Sequence, residues 1–478
     1  MSTPDPTPDS PFSRRALPAL LLGFLLGLSI LKLGNPVILE DQIGFPSTFA
    51  EWFQRPWPTR AGLYLLPMVV VVHGFLTPWF ARLAAARLPP WLVAGVLVWL
   101  GWQVVSFTGT LDPRLSRLTL PHLAGIGVCF FLGAGLGRGH WRPLLIGVGV
   151  GAVLCWLQAI NQHTIEFRAA RQALLIGEST GWTNIAAPDL EELRRNRLVI
   201  RTNGVDIANP AILEKLAKGR VHGSLVYPNA LAGLVLLVFP ILVTSLWQTG
   251  RSLRPLLRGG TVVLLTLLAG GSLFWSGSRS GWLIALGMAA FAVLRLPRLQ
   301  RLRLPLAIVG LIVGIAAFGI RNRDYFQRGA TSMTARLDYW SAAAENTRIH
   351  PWRGSGPGTF MRPYAQLKRP EAEMTRLVHN DYLQQFSDSG IPGGLAYLVW
   401  VGGSLGLAWK RHSRNADPVV VSLLLGSSAW LIQGFSEFSL YVPALAWTCF
   451  TLLGIALGIP TEKPSTPGTP ASQTTPSS

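Results

Sequence analysis

Arg14-Arg15-Ala-Leu-Pro-Ala-Leu-Leu-Leu-Gly-Phe-Leu-Leu-Gly-Leu-Ser-Ile-Leu-Lys32-Leu33 places two cations ahead of an apolar run interrupted only by Ser29 and Lys32 near its end. As an α-helix, residues 16–33 cover most of a hydrocarbon core about 30 Å thick. Two arginines before the run, with no small-residue cleavage site after it, predict an uncleaved first helix that enters from the cytoplasm. Comparable runs follow near 62–81, 91–110, 120–137, 143–161, 222–247, 259–276, 281–296, 304–320, 391–409, 418–435 and 441–459. The expected fold class is therefore an all-α polytopic membrane protein of about twelve transmembrane helices.

Composition agrees. Only 14% of the 478 residues are charged, against about 25% in globular proteins, and 49% are apolar, with a mean hydropathy of +0.36. Eighteen Trp and fifty Gly suit interfacial belts and close helix packing. A soluble enzyme is excluded. The net charge of +19 raises nucleic acid as a partner, but the cations fall in short clusters between apolar runs rather than on one basic face. No nucleic acid is expected. Cys129, Cys155 and Cys449 all lie inside apolar runs and offer neither a disulfide framework nor a CxxC metal site.

The clusters set the orientation. Arg82/Arg87, Arg138/Arg142, Arg251/Arg254/Arg258, Arg295/Arg298/Arg301/Arg303 and Lys410/Arg411/Arg414 fall on one side. The opposite short loops hold only Arg55/Arg60, Arg114/Arg117 and Arg279. By the positive-inside rule both termini are cytoplasmic. The expected organisation is a disordered tail (1–15), five spans (16–161), an outer segment (162–221), four spans (222–320), a large outer loop (321–390), three spans (391–459) and a second disordered tail (460–478). The outer segments balance nine basic against seven acidic residues and ten against seven, and predict short amphipathic helices over the membrane mouth, one of them at 207–216.

Four outward stretches are polar in a chain that avoids polarity. Arg220-Val-His-Gly-Ser precedes Tyr227-Pro228-Asn229, where Pro228 and Gly233 are expected to break or kink a helix near its outer end. Its plain alternative is a snorkelling arginine at a helix entry. Ser276-Gly-Ser278-Arg279-Ser280-Gly281 makes a tight hairpin whose hydroxyls, amides and guanidinium suit phosphate oxygens, or simply a polar turn. Arg336 and Trp340 share one face of an amphipathic helix, ahead of a Gly/Pro loop, 350–360, whose amides can approach a ligand. There the alternative is a surface pair of Arg336 with Asp338 or Glu345. Finally, Val378-His379-Asn380-Asp381-Tyr382-Leu383-Gln384 puts His379 in the first turn of a short helix ending at Ser389-Gly390. A helix N-terminus disfavours imidazolium, which suits a general base for a sugar hydroxyl. Asp381 or Asp388 is a second choice of base, or orients the histidine, and an exposed structural histidine is the plain alternative. No DxD motif occurs in the outer loops; Glu371-Ala-Glu373 reads as a solvated pair.

In this order on a polytopic chain, these words resemble the O-antigen ligase family of bacterial membrane glycosyltransferases. The matching words are Arg220-x-x-Gly-x-x-x-x-Pro228-Asn229-x-Leu-Ala-Gly, Ser276-x-Ser278-Arg279-Ser280, Arg336-x-x-x-Trp340, His379-Asn380-x-Tyr382-Leu383-Gln384 and Glu437-Phe-Ser-Leu-Tyr-Val-Pro443-Ala, and the resemblance covers roughly 215–460. It implies a GT-C-like fold with a periplasmic cavity in the bacterial inner membrane, and metal-independent, inverting transfer without a cofactor. The implied donor is a glycan on undecaprenyl pyrophosphate, and the implied acceptor a sugar hydroxyl of lipid A core. By the resemblance, Arg220, Arg279 and Arg336 bind the pyrophosphate and His379 is the general base. Asn229, Ser278, Asn380, Asp381 and Tyr382 support them. A polysaccharide polymerase and an O-linked protein oligosaccharyltransferase share this donor logic; a lipid-linked saccharide transporter is the alternative without chemistry. A transporter predicts polar residues at mid-membrane depth in several spans, whereas here they gather on the outer side.

Overall fold

The computed structural model describes residues 16–137, 139, 141–296, 300–327, 331–412 and 417–460. Apart from Pro460, the tails expected at 1–15 and 460–478 lie outside the described residues, as do Arg14, Arg15, Arg138, Arg298 and Arg414 of the charge pattern. Among the described residues eight helices are long and apolar enough to cross a membrane: Thr59–Leu76, Pro90–Phe107, Pro113–Leu136, Leu144–Ser179, Pro228–Ser252, Pro255–Ser276, Arg303–Arg321 and Asp381–His412. Four shorter apolar helices, Leu17–Lys32, Arg279–Leu294, Pro418–Gln433 and Pro443–Gly458, take the other places where apolar runs predict spans. The chain is a helical, multi-pass membrane protein.

Proline opens many of these helices, at Pro90, Pro113, Pro228, Pro255, Pro418 and Pro443. Its fixed φ suits the first helical position, where the missing N–H has no intrahelical partner anyway. Pro228 therefore starts its helix and does not break it, correcting the expectation above. Gly233 lies within that helix, facing the Gln433 side chain.

Pro443–Gly458 is the hub, with every one of its residues buried. It packs along Pro113–Leu136, where side chains on Gly133 or Gly454 would collide with the carbonyls of Thr451 and Phe130. Leu17–Lys32 meets Leu144–Asn161 in the same manner through Gly27 and Gly147. Lipid tails are as apolar as Leu, so such backbone contact, rather than hydrophobicity, drives these helices together. At the other extreme, Arg303–Arg321 buries only Ala307 and rests on Arg279–Leu294 at the periphery.

The outer segment 162–221 departs from the prediction. The fifth run continues through a π turn, Gln162–Glu166, into the amphipathic helix Phe167–Ser179, making one helical rod of 36 residues. After Ala187–Arg195, two strands, Val199–Thr202 and Val205–Ala208, pair antiparallel with Thr202 opposite Val205, so the chain is not purely α-helical. Asn203 and Gly204, both at positive φ, form the two-residue turn that Asn-Gly favours. The helix expected at 207–216 is Pro210–Lys218, capped by Asn209, because Ile207 is held in the second strand.

The polar stretch at His379 and the cations at Lys410 and Arg411 occupy opposite ends of one helix. Arg411, near the end of Asp381–His412, donates to the carbonyls of Ala86 at 3.4 Å, Arg87 at 2.7 Å and Leu457 at 2.7 Å. His379 precedes the other end of the same helix. That helix kinks at Gly390, whose φ of 69° and ψ of −176° are open essentially to glycine alone. A side chain there would also press on the carbonyls of Pro351 and Trp352. Gly390→Ala is expected to cost about 3 kcal/mol, seen as an earlier thermal unfolding transition in lipid.

Candidate functional site

Gly219, in the left-handed conformation, ends Pro210–Lys218 and releases the chain into the loop carrying Arg220. Gln162, buried in the π turn, clamps that loop. Its Oε1 accepts from the amides of His222 (3.1 Å) and Gly223 (2.9 Å), and its Nε2 donates to the Gly223 carbonyl at 3.0 Å. Arg220 donates through Nε to the Ser276 carbonyl at 2.8 Å and through Nη2 to Asn229 Oδ1 at 3.0 Å. The hairpin around it is built as its residues suggest. Gly277 (φ 61°) closes Pro255–Ser276, and Ser278 caps Arg279–Leu294 by accepting from the Gly281 amide at 3.3 Å. Arg279 donates to Asn322 Oδ1 at 3.1 Å and lies over the Tyr325 ring, 3.4 Å from its centre. Crowding by surrounding protein, then repulsion from Arg279 and Arg336, hold the Arg220 pKa below its ordinary value, with Glu437 opposing. Part of the Arg220 side chain nonetheless stays exposed. Three guanidinium groups thus gather within electrostatic range, an arrangement that attracts a polyanion.

Glu437, with 0% side-chain exposure, links two of them. Its Oε1 accepts from Asn229 Nδ2 at 2.7 Å and from Arg336 Nη2 at 2.8 Å. Arg336 also donates from Nε to the Ser436 carbonyl at 3.1 Å. The surface alternatives for Arg336 are not realised: Asp338 pairs with Arg369, and Glu345 with Arg348 at 2.6 Å. One turn along, Trp340 Nε1 reaches the His379 carbonyl at 3.4 Å, so the shared face of Thr331–Ile349 serves both residues. His379 Nδ1 lies 3.8 Å from Glu437 Oε2, with the ring edge-on to Phe438 (4.6 Å) and tilted toward Tyr339 (5.8 Å). Its side chain keeps 26% exposure.

His379 is not in the first turn of the helix. Asn380 is the cap, its Oδ1 accepting from the amides of Tyr382 and Leu383 at 3.0 Å, and His379 precedes it at φ 55°. A left-handed histidine stores on the order of 1–3 kcal/mol and persists only where its surroundings enforce it. The acidic neighbours take other roles. Asp381 is buried and accepts from the Leu440 amide at 3.2 Å, anchoring the turn that presents Glu437. Asp388 accepts from Gly358 N (2.7 Å), Gln384 Nε2 (2.8 Å) and Tyr441 OH (2.5 Å), so it is a buried brace, not a base or an orienter of His379. Tyr382 donates to the Leu431 carbonyl at 2.8 Å and braces Pro418–Gln433. The loop at 354–360 is likewise buried, with Gly354 and Gly356 pressed on Asp388 and Thr110. Its glycines permit backbone packing, not ligand approach. A surface cleft of about 700 Å3 runs along Leu337, Ser341 and Glu345, on the face of Thr331–Ile349 turned away from Arg336.

Comparison with known proteins places a boundary on this cluster. Residues 264–398 match the family model described as O-antigen ligase. The match supports the O-antigen ligase family for this chain, and an O-antigen ligase/polymerase-like membrane enzyme. No curated protein matches the chain. Arg279, Arg336 and His379 fall inside the stretch matching the O-antigen ligase family, whereas Arg220, Asn229 and Glu437 fall outside it and reach the same cluster through the fold.

The amino-acid sequence alone assigns no role to Glu437 or Gln162. Glu437 had a signal: it is the one acidic residue between Asp417 and Glu462, at the edge of an apolar run where an unpaired carboxyl group is costly. Gln162 had none, because an amide at the end of an apolar helix is ordinary.

Proposed function

We propose that the protein is an O-antigen ligase-like glycosyltransferase, moving a glycan from undecaprenyl pyrophosphate to a sugar hydroxyl of lipid A core on the periplasmic side of the inner membrane. The observation that carries this reading is the meeting of Arg220, Arg336 and His379 around the buried Glu437, at the end of the helices opposite the Arg411 cluster.

In this reading Arg220, Arg279 and Arg336 hold the pyrophosphate. The acceptor oxygen attacks the anomeric carbon from the face opposite the leaving group. The bond from that carbon to the phosphate oxygen breaks, its electron pair leaves with the pyrophosphate, and the hydroxyl proton passes to His379 Nε2. Inversion follows from a single displacement. Pyrophosphate is already a good leaving group, so the main demand is to stabilise charge building on it. Fixed donors in a partly dry site supply about 3 kcal/mol each. Orienting the hydroxyl and taking its proton supplies the rest. The charged work falls to guanidinium groups, so transfer is expected to persist in EDTA.

The test is purified protein in lipid with an undecaprenyl-pyrophosphate glycan, EDTA, and three acceptors: lipid A core, a second lipid-linked glycan and a Ser-rich protein. Transfer to the core is the expected result. Transfer to the lipid-linked glycan or the protein would keep the chemistry and make the enzyme a polymerase or an oligosaccharyltransferase. No transfer to any acceptor would overturn the enzymatic reading in favour of a lipid-linked saccharide transporter.

A further inference from the structure

We infer that Glu437 is the positioning residue of the histidine base, and that this one carboxyl group ties the base to the donor-binding arginines. The inference rests on the transfer reading above. Its two oxygens are used differently. Oε1 is taken up by Asn229 and Arg336 at 2.7 and 2.8 Å. Oε2 and His379 Nδ1 are both buried without a hydrogen-bond partner and lie 3.8 Å apart. Unsatisfied buried polar atoms are rare and costly, and two facing each other have an evident remedy. Closing the gap by about 1 Å gives an ordinary N–H···O bond. Such tightening is common when a catalytic site fills.

The bond decides which ring nitrogen does the chemistry. With Nδ1–H donated to Oε2, the neutral ring presents the Nε2 lone pair, and the carboxyl group offsets the positive charge that arrives with the proton. The ring has little freedom to choose otherwise. Phe438 from the Glu437 turn and Tyr339 from Thr331–Ile349 contact it, and Trp340 holds its carbonyl. Among these elements the charged groups facing it are Glu437 and, through the same carboxyl group, Arg336. Asn229 extends the link to Arg220, so one buried side chain spans the donor side and the acceptor side. An anion drawing on Arg336 leaves more of the carboxyl group to His379, so donor binding prepares the base.

The experiment compares Glu437→Gln and Glu437→Asp with wild type and His379→Ala in the lipid assay, across pH. Glu437→Gln is expected to lower kcat about a hundredfold while the donor KM stays within about threefold. The acidic limb of its pH–rate profile moves to lower pH, because protonated histidine loses its counter-charge. Glu437→Asp recovers part of kcat and of the profile. An unchanged profile and kcat in Glu437→Gln, with His379→Ala inactive, would overturn this inference and leave the proposed function standing. An active His379→Ala would instead overturn the assignment of the base. Nitrogen-15 histidine spectra of wild type, with His379 assigned by difference from His379→Asn, supply a readout independent of the Glu437 variants. Neutral His379 protonated on Nδ1 is expected; protonation on Nε2 would overturn the inference.

Discussion

His379→Ala is expected to lower the rate of transfer by two to four orders of magnitude while the protein stays folded and still binds donor. The kinetic figure is what a positioned general base contributes. The structural half follows from how the ring is held. It is partly exposed, its packing partners are Phe438 and Tyr339, and its Nδ1 makes no hydrogen bond that the substitution would remove. Glu437 keeps Arg336 and Asn229. Alanine also inherits the left-handed backbone at this position, so a small loss of stability accompanies the change. Single-turnover transfer, donor binding and thermal unfolding in lipid check the three parts separately. Transfer within threefold of wild type would remove His379 from the chemistry.

Arg336→Ala carries the second large effect, and it acts on stability as well as on transfer. The guanidinium pairs with a carboxyl group of 0% exposure, and removing one partner of a buried pair typically costs about 3–5 kcal/mol. Arg279→Ala should be milder in stability, because the Arg279 partners are an amide oxygen and an aromatic ring, both neutral. In transfer the two should resemble each other, at about a hundredfold to a thousandfold, if both guanidinium groups hold the pyrophosphate. Adding Glu437→Gln to Arg336→Ala separates the two roles, with Glu437→Gln alone as the reference. It removes the stranded carboxyl group, so the unfolding temperature recovers, while transfer stays well below that of Glu437→Gln alone. Transfer equal to that of Glu437→Gln alone would make Arg336 a structural partner of Glu437 and nothing more.

How far the sequence reached depends on which physical signal carried each feature. The hairpin at Arg279 was legible because its two devices are local: glycine at a left-handed cap and serine at the next N-cap. The Asn203-Gly204 turn carried an equally local signal for two strands, within a segment where amphipathic helix was expected. His379 was recognisable as a polar residue ahead of a helix, yet its register slipped by one turn position. Asn380 is the better cap, having a short side-chain oxygen that reaches two free amides. Asp388 looked available for chemistry because nothing local shows that Gly358 and Tyr441 consume its oxygens.

Hydropathy and the placement of Lys and Arg by themselves determined that this is a multi-pass helical chain, where its apolar runs lie and which ends carry the polar words. These are properties of short segments moving out of water, and each run reports them alone. Tertiary structure decided the rest. Pro443–Gly458 and Arg303–Arg321 are both apolar, yet one is the buried hub and the other faces outward almost all round. Leaving water scores protein and lipid surroundings alike, and only backbone approach at residues such as Gly133 and Gly454 tells them apart. The centre of the site obeys the same rule. Glu437 meets Arg336 from 101 positions away and Asn229 from 208, through hydrogen bonds whose geometry exists only once the helices have packed.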